Sequence, residues 1–369
     1  MHYFYDMKKI LSIILVFSAI AEAVACTSAI VTGGLTANGR PLLWKHRDAS
    51  DLDNKVEKIQ PKDGGFAYVA LFNATDTLCH QAWAGYNEKG FAVMNTASYN
   101  LKADTVTEMD KEGYLMRRAL AYCATVDDFE RLLQALPKPL GVEANFGVID
   151  PGGNAAYFET CNYSYRRFDV AGYMIRTNYS KSGRENEGYG YIREKNAEKL
   201  LAPYIKEKSV TPATFTEVLS RSFYHSLIDK DFATDTVEWI VDRDFIPRRS
   251  SSASVVIEGI NPGDDPMATT MWTVLGYPPC GTVEPAWIFE GGIPDSLRAD
   301  TATWKAPACE QVNELKKSVF SIRRDNGQNY LNIKKLINKK GTGISQLNRT
   351  KSIENYKQGY DKLLKTIKK

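Results

Sequence analysis

The chain has 369 residues, 43% of them hydrophobic and 25% charged, with a formal net charge of +3. These are ordinary globular values, enough for one large domain or two small ones with ample core. Beyond residue 25 no apolar run is long enough to span a bilayer.

The first element is a leader. Met7-Lys8-Lys9 is followed by an apolar run from Ile10 to about Ile20, and then by Ala23-Val24-Ala25-Cys26. A basic start, a short apolar middle and small residues at −3 and −1 predict a secretory signal peptide over 1–25, cut just before Cys26. Export to the periplasm or the extracellular space would create a chain whose first residue is a cysteine. Its α-amine, with a reference pKa of about 7.7–8.0, can take the thiol proton directly or through a water. A competing reading makes Cys26 the lipid-attachment site of an outer-membrane, non-enzymatic binding protein. That cut usually follows Leu at −3, where this chain has Ala23. Lipidation would also block both the sulfur and the amine, so the two readings exclude each other.

Residues 26–32 and 41–47 read as strands, with Gly33-Gly34, Asn38-Gly39 and Pro41 turning the chain between them. Such a hairpin carries Asp48 back beside Cys26. Strand patterns continue at 66–72, 79–86 and 91–97. Helical periodicity follows at 113–123 and 126–136, the second opened by Thr125 as N-cap. Strands return at 145–150, 155–160, 164–169 and 173–177. Helices are predicted at 190–204 and 213–224, then strands at 252–258, 268–275 and 286–290. From about 308 the pattern is helical to the end, broken near Gly341–Gly343.

This order predicts an α+β fold: a four-layer αββα sandwich of two antiparallel sheets over 26–305, with helices outside. Residues 306–369 then form a basic helical C-terminal extension. Its residues 311–369 carry 15 Lys and Arg against 4 Asp and Glu, leaving the rest of the chain at −8. The tail therefore reads as solvated helix faces, as a surface for acidic envelope lipid, or as a segment folded back on the acidic body. It has few aromatic residues and does not read as nucleic-acid binding.

Four stretches stand out as a set: Cys26-Thr27-Ser28, Trp44-Lys45-His46-Arg47-Asp48, Gly85-Tyr86-Asn87-Glu88-Lys89-Gly90-Phe91-Ala92-Val93-Met94-Asn95, and Arg176-Thr177-Asn178. Together they resemble the N-terminal-nucleophile hydrolases of the linear amide C–N group. That group includes choloylglycine hydrolases, penicillin V acylases, acid ceramidase-like amidases and isopenicillin N acyltransferases. The resemblance extends over roughly 26–290. It implies a catalytic Cys26 acting as nucleophile and base, and an Asp48 that holds the α-amine. It implies Asn95 and Asn178 as oxyanion donors, an acyl-thioester intermediate, a small-molecule N-acyl amide substrate and no cofactor. The family's positive charge near the acid falls on Lys45 or Arg47, with Arg47 the better-held fork. A later family arginine falls on Arg248 or Arg249, which on pattern alone read as surface charges.

Other chemistries find little support. His46, His80 and His225 show no metal-ligand spacing, so no metal is expected. Of the six cysteines, Cys280 and Cys309 could pair in an oxidising compartment, and Cys123 reads as a buried apolar residue. The acyl and amine groups, the choice between hydrolase and transferase, and a homo-oligomeric state are left open.

Overall fold

A computed structural model describes residues 25–367. The leader expected over 1–25 lies, apart from Ala25, outside the described residues. Thr27–Val31 (β1) and Leu42–Asp48 (β2) form the predicted hairpin, with Thr27 opposite His46. Asn54–Ile59 (β3), Tyr68–Asn73 (β4), Ala84–Asn87 (β5) and Ala92–Ala97 (β6) follow. Glu112–Tyr122 (α1) and Val126–Ala135 (α2) come next. α2 opens with Thr125 in a capping box with Asp128.

Ala144–Ile149 (β7), Ala155–Thr160 (β8), Tyr165–Asp169 (β9) and Tyr173–Arg176 (β10) lead to the helix Tyr191–Lys206 (α3). Three short strands, Tyr224–His225 (β11), Lys230–Asp231 (β12) and Trp239–Ile240 (β13), precede Ser251–Glu258 (β14), Thr270–Leu275 (β15) and Glu284–Ala286 (β16). The C-terminal part comprises Pro307–Val319 (α4), Ile322–Arg323 (β17), Asn329–Asn332 (β18), Ile333–Leu336 (α5) and Ile344–Ile367 (α6).

Two antiparallel sheets make the body. One has six strands in the order β10-β1-β2-β14-β15-β16, the other seven in sequence order from β3 to β9. Alternation along each strand divides the side chains between layers. Ile30, Leu43, Val69, Tyr86 and Met94 fill the space between the sheets. Phe72, Phe91, Val93 and Phe146 face α1 and α2 on the outer side of the seven-stranded sheet. Ala29, Trp44, Val256 and Trp272 face α3 and α6 on the outer side of the other. The α+β reading with two packed antiparallel sheets therefore holds.

Several local expectations need correction. The strand expected at 79–86 begins only at Ala84, because residues 76–79 turn back on themselves and Cys79 has φ +54°. Residues 286–290 are strand only as far as Ala286; beyond it Trp287 N–H bonds to Gly292 O in a turn. The helix expected at 213–224 is a π segment over Thr214–Val218 followed by a 3-10 turn over Leu219–Arg221. The C-terminal segment is not helical throughout: β18 pairs with β17 and with β13. Strand β3 escaped the sequence reading because Asn-Lys-Val-Glu-Lys-Ile offers one fully buried apolar residue, Val56, on a charged edge strand. Cys280 and Cys309 are both free thiols, so the suggested pair does not form. Cys123 is buried at the end of α1, as expected.

Candidate active site

Cys26 lies at the start of β1, only 3% exposed, and its Sγ donates to the Asp48 carbonyl at 3.7 Å. The hairpin is the reason: antiparallel pairing of β1 with β2 returns the chain to the point where it began. Strand alternation then sorts β2. Trp44 faces the outer helices, whereas Leu43 faces the other sheet. Lys45 and Arg47 share the side of Leu43 and reach the Trp83 ring, at 5.7 and 4.9 Å from its centroid.

Lys45 Nζ donates to Trp83 O at 2.9 Å and to Asn95 Oδ1 at 2.6 Å. An ammonium can only donate, so the Asn95 amide oxygen must face Lys45 and its NH₂ faces away. Burial pushes Lys45 down to about 8, against the raising effect of Cys26. Arg47 donates to Asn54 Oδ1 at 2.7 Å, Asn73 Oδ1 at 2.8 Å and Ser252 Oγ at 3.2 Å. Burial brings it to about 10, again opposed by Cys26.

Asp48 ends the strand beside the β14 bulge between Ser251 and Ala253. Ser251 Oγ donates to its Oδ1 at 2.6 Å, and Arg248 forms a short ion pair with its Oδ2. The same Arg248 nitrogen also donates to the Ala25 carbonyl at 2.7 Å. One guanidinium thus links the Asp48 carboxylate to the peptide bond that joins Ala25 to Cys26. Burial works to lower Arg248, but the Asp48 charge and hydrogen bond carry it above its ordinary value. Arg249 is exposed, and its backbone N–H is held by Asp242. Of the two arginines left open by the sequence, only Arg248 reaches the site.

A third arginine was not anticipated. Arg193, buried on α3, donates to Cys26 O at 2.6 Å, Thr27 Oγ1 at 2.8 Å and Asn178 Oδ1 at 2.8 Å. Burial lowers it to about 9. Its seat requires Gly190, at φ +96°, because a Cβ there would lie 2.4 Å from the guanidinium and 2.8 Å from Thr177. Asn178 is oriented from both ends, since its Nδ2 donates to Ala97 O at 2.8 Å.

Cys26, Lys45, Arg47, Asp48, Asn95 and Ala97 line one cleft of about 490 Å³ that also receives Trp83, Tyr99, Met109 and the buried Glu112. Burial raises Glu112 to about 7. Asn178 does not line this cleft; it stands behind Ala97. A larger cleft of about 910 Å³ between Tyr68, Tyr114 and Arg117 contains none of these residues. Among the described residues no cluster of His, Cys, Asp and Glu could hold a metal ion. The arrangement provides a thiol, a held carboxylate, an oriented amide donor and several buried cations around an open space. Those parts suit nucleophilic attack on a carbonyl.

Against known families, the profile described as acyl-coenzyme A:6-aminopenicillanic acid acyl-transferase matches residues 39–225. That stretch contains Lys45, Arg47, Asp48, Asn95, Asn178 and Arg193, and begins after Cys26. No curated protein sequence matches the chain. Among solved structures it is similar to an N-acylethanolamine-hydrolyzing acid amidase ortholog of Caenorhabditis elegans, at 12% identity and a TM-score of 0.43, over 63% of this chain and 92% of that one. It is also similar to a mutant conjugated bile acid hydrolase of Clostridium perfringens, at 12% identity and a TM-score of 0.45, over 73% and 93% of the two chains. A penicillin V acylase of Agrobacterium tumefaciens gives 12% identity and a TM-score of 0.37, over 73% and 87%. Likeness at this level carries no weight about substrate.

Proposed function

Because the chain belongs to the acyl-coenzyme A:6-aminopenicillanic acid acyl-transferase family, whose members act on linear amide bonds as hydrolases or acyltransferases, we propose that it is an exported cysteine enzyme activated by loss of its leader. Removal of residues 1–25 frees the Cys26 amine beside Asp48. The amine takes the thiol proton, and the thiolate attacks the amide carbonyl of an N-acyl substrate lying in the cleft. The oxyanion meets the Asn95 NH₂, which Lys45 turns toward the open space, while Asn178, behind the cleft wall, ties Arg193 to the Ala97 carbonyl. Collapse breaks the C–N bond, and the ammonium of Cys26 returns its proton to the leaving nitrogen. An acyl-thioester remains on Cys26. Water then releases the acid, or an acceptor amine takes the acyl group.

The observation that carries this reading is the setting of Cys26. Lys45, Arg47, Arg193 and Arg248 all interact favourably with a negative charge at its sulfur. A lipid-anchored cysteine would have to present its sulfur to a bilayer, and the burial of Cys26 counts against that role.

The test is threefold. Intact-mass analysis of the secreted protein should show a chain beginning at an unmodified Cys26; a diacylglyceryl adduct refutes the enzyme. A screen of N-acyl amino acids, conjugated bile salts, penicillin V and N-acylethanolamines should find a substrate. Cys26→Ser should reduce its turnover at least about a thousandfold with the fold intact.

A further inference from the structure

His46 is fully buried, yet the mechanism above does not use it. Its Nδ1 lies 3.1 Å from Ser220 Oγ and its Nε2 lies 2.8 Å from Ser251 Oγ. Ser220 Oγ is 2.8 Å from Ser254 Oγ, which accepts from the Trp44 indole N–H at 3.1 Å. At the other end, Ser251 Oγ donates to Asp48 Oδ1 at 2.6 Å and accepts from the Arg248 backbone N–H at 2.9 Å.

The direction of every bond in this row is forced. An indole N–H can only donate, and a carboxylate can only accept. Ser251 spends its one hydrogen on Asp48, so His46 Nε2 must bring a hydrogen to Ser251. With Nε2 protonated in a neutral ring, Nδ1 is an acceptor, and Ser220 donates to it. Ser254 then donates to Ser220 and accepts from Trp44. All five hydrogens point toward Asp48. A ring protonated on Nδ1 alone would set two lone pairs against each other between Nε2 and Ser251. An imidazolium would reverse Ser220, leaving the Ser254 hydrogen without an acceptor in the row. Burial pushes His46 down to about 4, in keeping with a ring that stays neutral. The charged groups that act on it are Asp48, whose Oδ1 lies 3.9 Å from Nε2, together with Arg248 and Arg193.

We propose that His46, as its neutral Nε2–H tautomer, is a positioning residue that acts through Ser251 to aim the Asp48 carboxylate at the α-amine of Cys26. This rests on the reading of Asp48 as the group that holds the amine. The row runs along the outer face of the six-stranded sheet and reaches Asp48 from the side opposite the cleft. Its Ser220 comes from the irregular π and 3-10 segment, which ends over β2. π segments inside helices recur at functional sites, and here the irregularity brings a hydroxyl to Nδ1.

Two measurements test this. The first needs no substrate: ¹⁵N NMR of histidine-labelled protein should show His46 as a neutral Nε2–H ring at every pH from 8 down to 5. A Nδ1–H ring, or an imidazolium in that range, overturns the proposal. The second uses the best substrate of the screen. His46→Leu removes the donor to Ser251, and kcat should fall about tenfold. The acid limb of the rate profile should also move to lower pH, because an amine that loses its carboxylate partner gives up its proton more readily. His46→Gln keeps an N–H at the Nε2 position and should restore the limb. Unchanged kcat and limb in His46→Leu overturn the proposal. An active Cys26→Ser enzyme would instead overturn the catalytic reading and leave the NMR result standing.

Discussion

Two buried charge clusters in this protein are built on opposite rules. In the first, Arg176 Nε meets Glu159 Oε1 at 2.9 Å. The same carboxylate also accepts Lys181 N–H at 3.0 Å, Ser182 N–H at 2.7 Å and the Ser182 hydroxyl at 2.6 Å. Charge is balanced and the lone pairs are used. In the second, around Cys26, Lys45, Arg47, Arg193 and Arg248 gather about a single ion-paired carboxylate among the described residues, Asp48. Among the described residues, Lys45, Arg47 and Arg193 donate to neutral oxygens: main-chain carbonyls, amide oxygens and hydroxyls. Burial accordingly lowers these three to about 8, 10 and 9. A fold gains nothing from unbalanced buried charge. A reaction that builds a thiolate and then an oxyanion does.

The comparison can be broken or sharpened by substitution. Arg176→Met strands the Glu159 carboxylate and should cost on the order of 3–5 kcal/mol in urea unfolding, with kcat per folded molecule unchanged. Arg193→Met should do the reverse, lowering kcat about a hundredfold while the melting temperature holds or rises, since a surplus cation is replaced by apolar volume. A destabilised but fully active Arg193→Met enzyme would make both clusters structural.

Lys45→Met should reduce kcat about tenfold and remove an alkaline limb. In the wild type Lys45 loses its proton near pH 8, so activity should decline above that point. A limb that survives in the variant assigns it elsewhere. The smallest effect is expected at Glu112. Its folded value is near 7 against 4.5 for the free carboxyl. As pH rises through that window the unfolded chain ionises first, so wild-type stability is lost and does not return above it. Glu112→Gln should match the wild type at pH 4 and have the higher melting temperature at pH 8.

Much of the site was legible. Gly33-Gly34, Asn38-Gly39 and Pro41 announce a turn between two apolar runs, and that hairpin brings Asp48 to Cys26 in the structure. Asn95, which the family resemblance implies, ends a strand fed by a tight turn and lines the cleft. Asn178, implied by the same resemblance, lies behind the wall and not on it. Arg193 left no signal, because an arginine within Tyr-Ile-Arg-Glu-Lys-Asn reads as a solvated helix face. Arg248 was one of two adjacent arginines; its partner is exposed, and no local pattern distinguishes them. The row through His46 joins Trp44 of β2 and Ser251 and Ser254 of β14 to Ser220, whose segment sequence periodicity reads as an ordinary helix.

Order along the chain was therefore enough for the elements that depend on neighbours: strand alternation, turn residues and helix caps. Which charges lose their water was decided only in three dimensions. Desolvation depends on what segments some two hundred residues away bring to bear, as β14 does on β2. The same arginine is a surface group or part of a reaction centre according to that packing, and a one-dimensional pattern carries no measure of it.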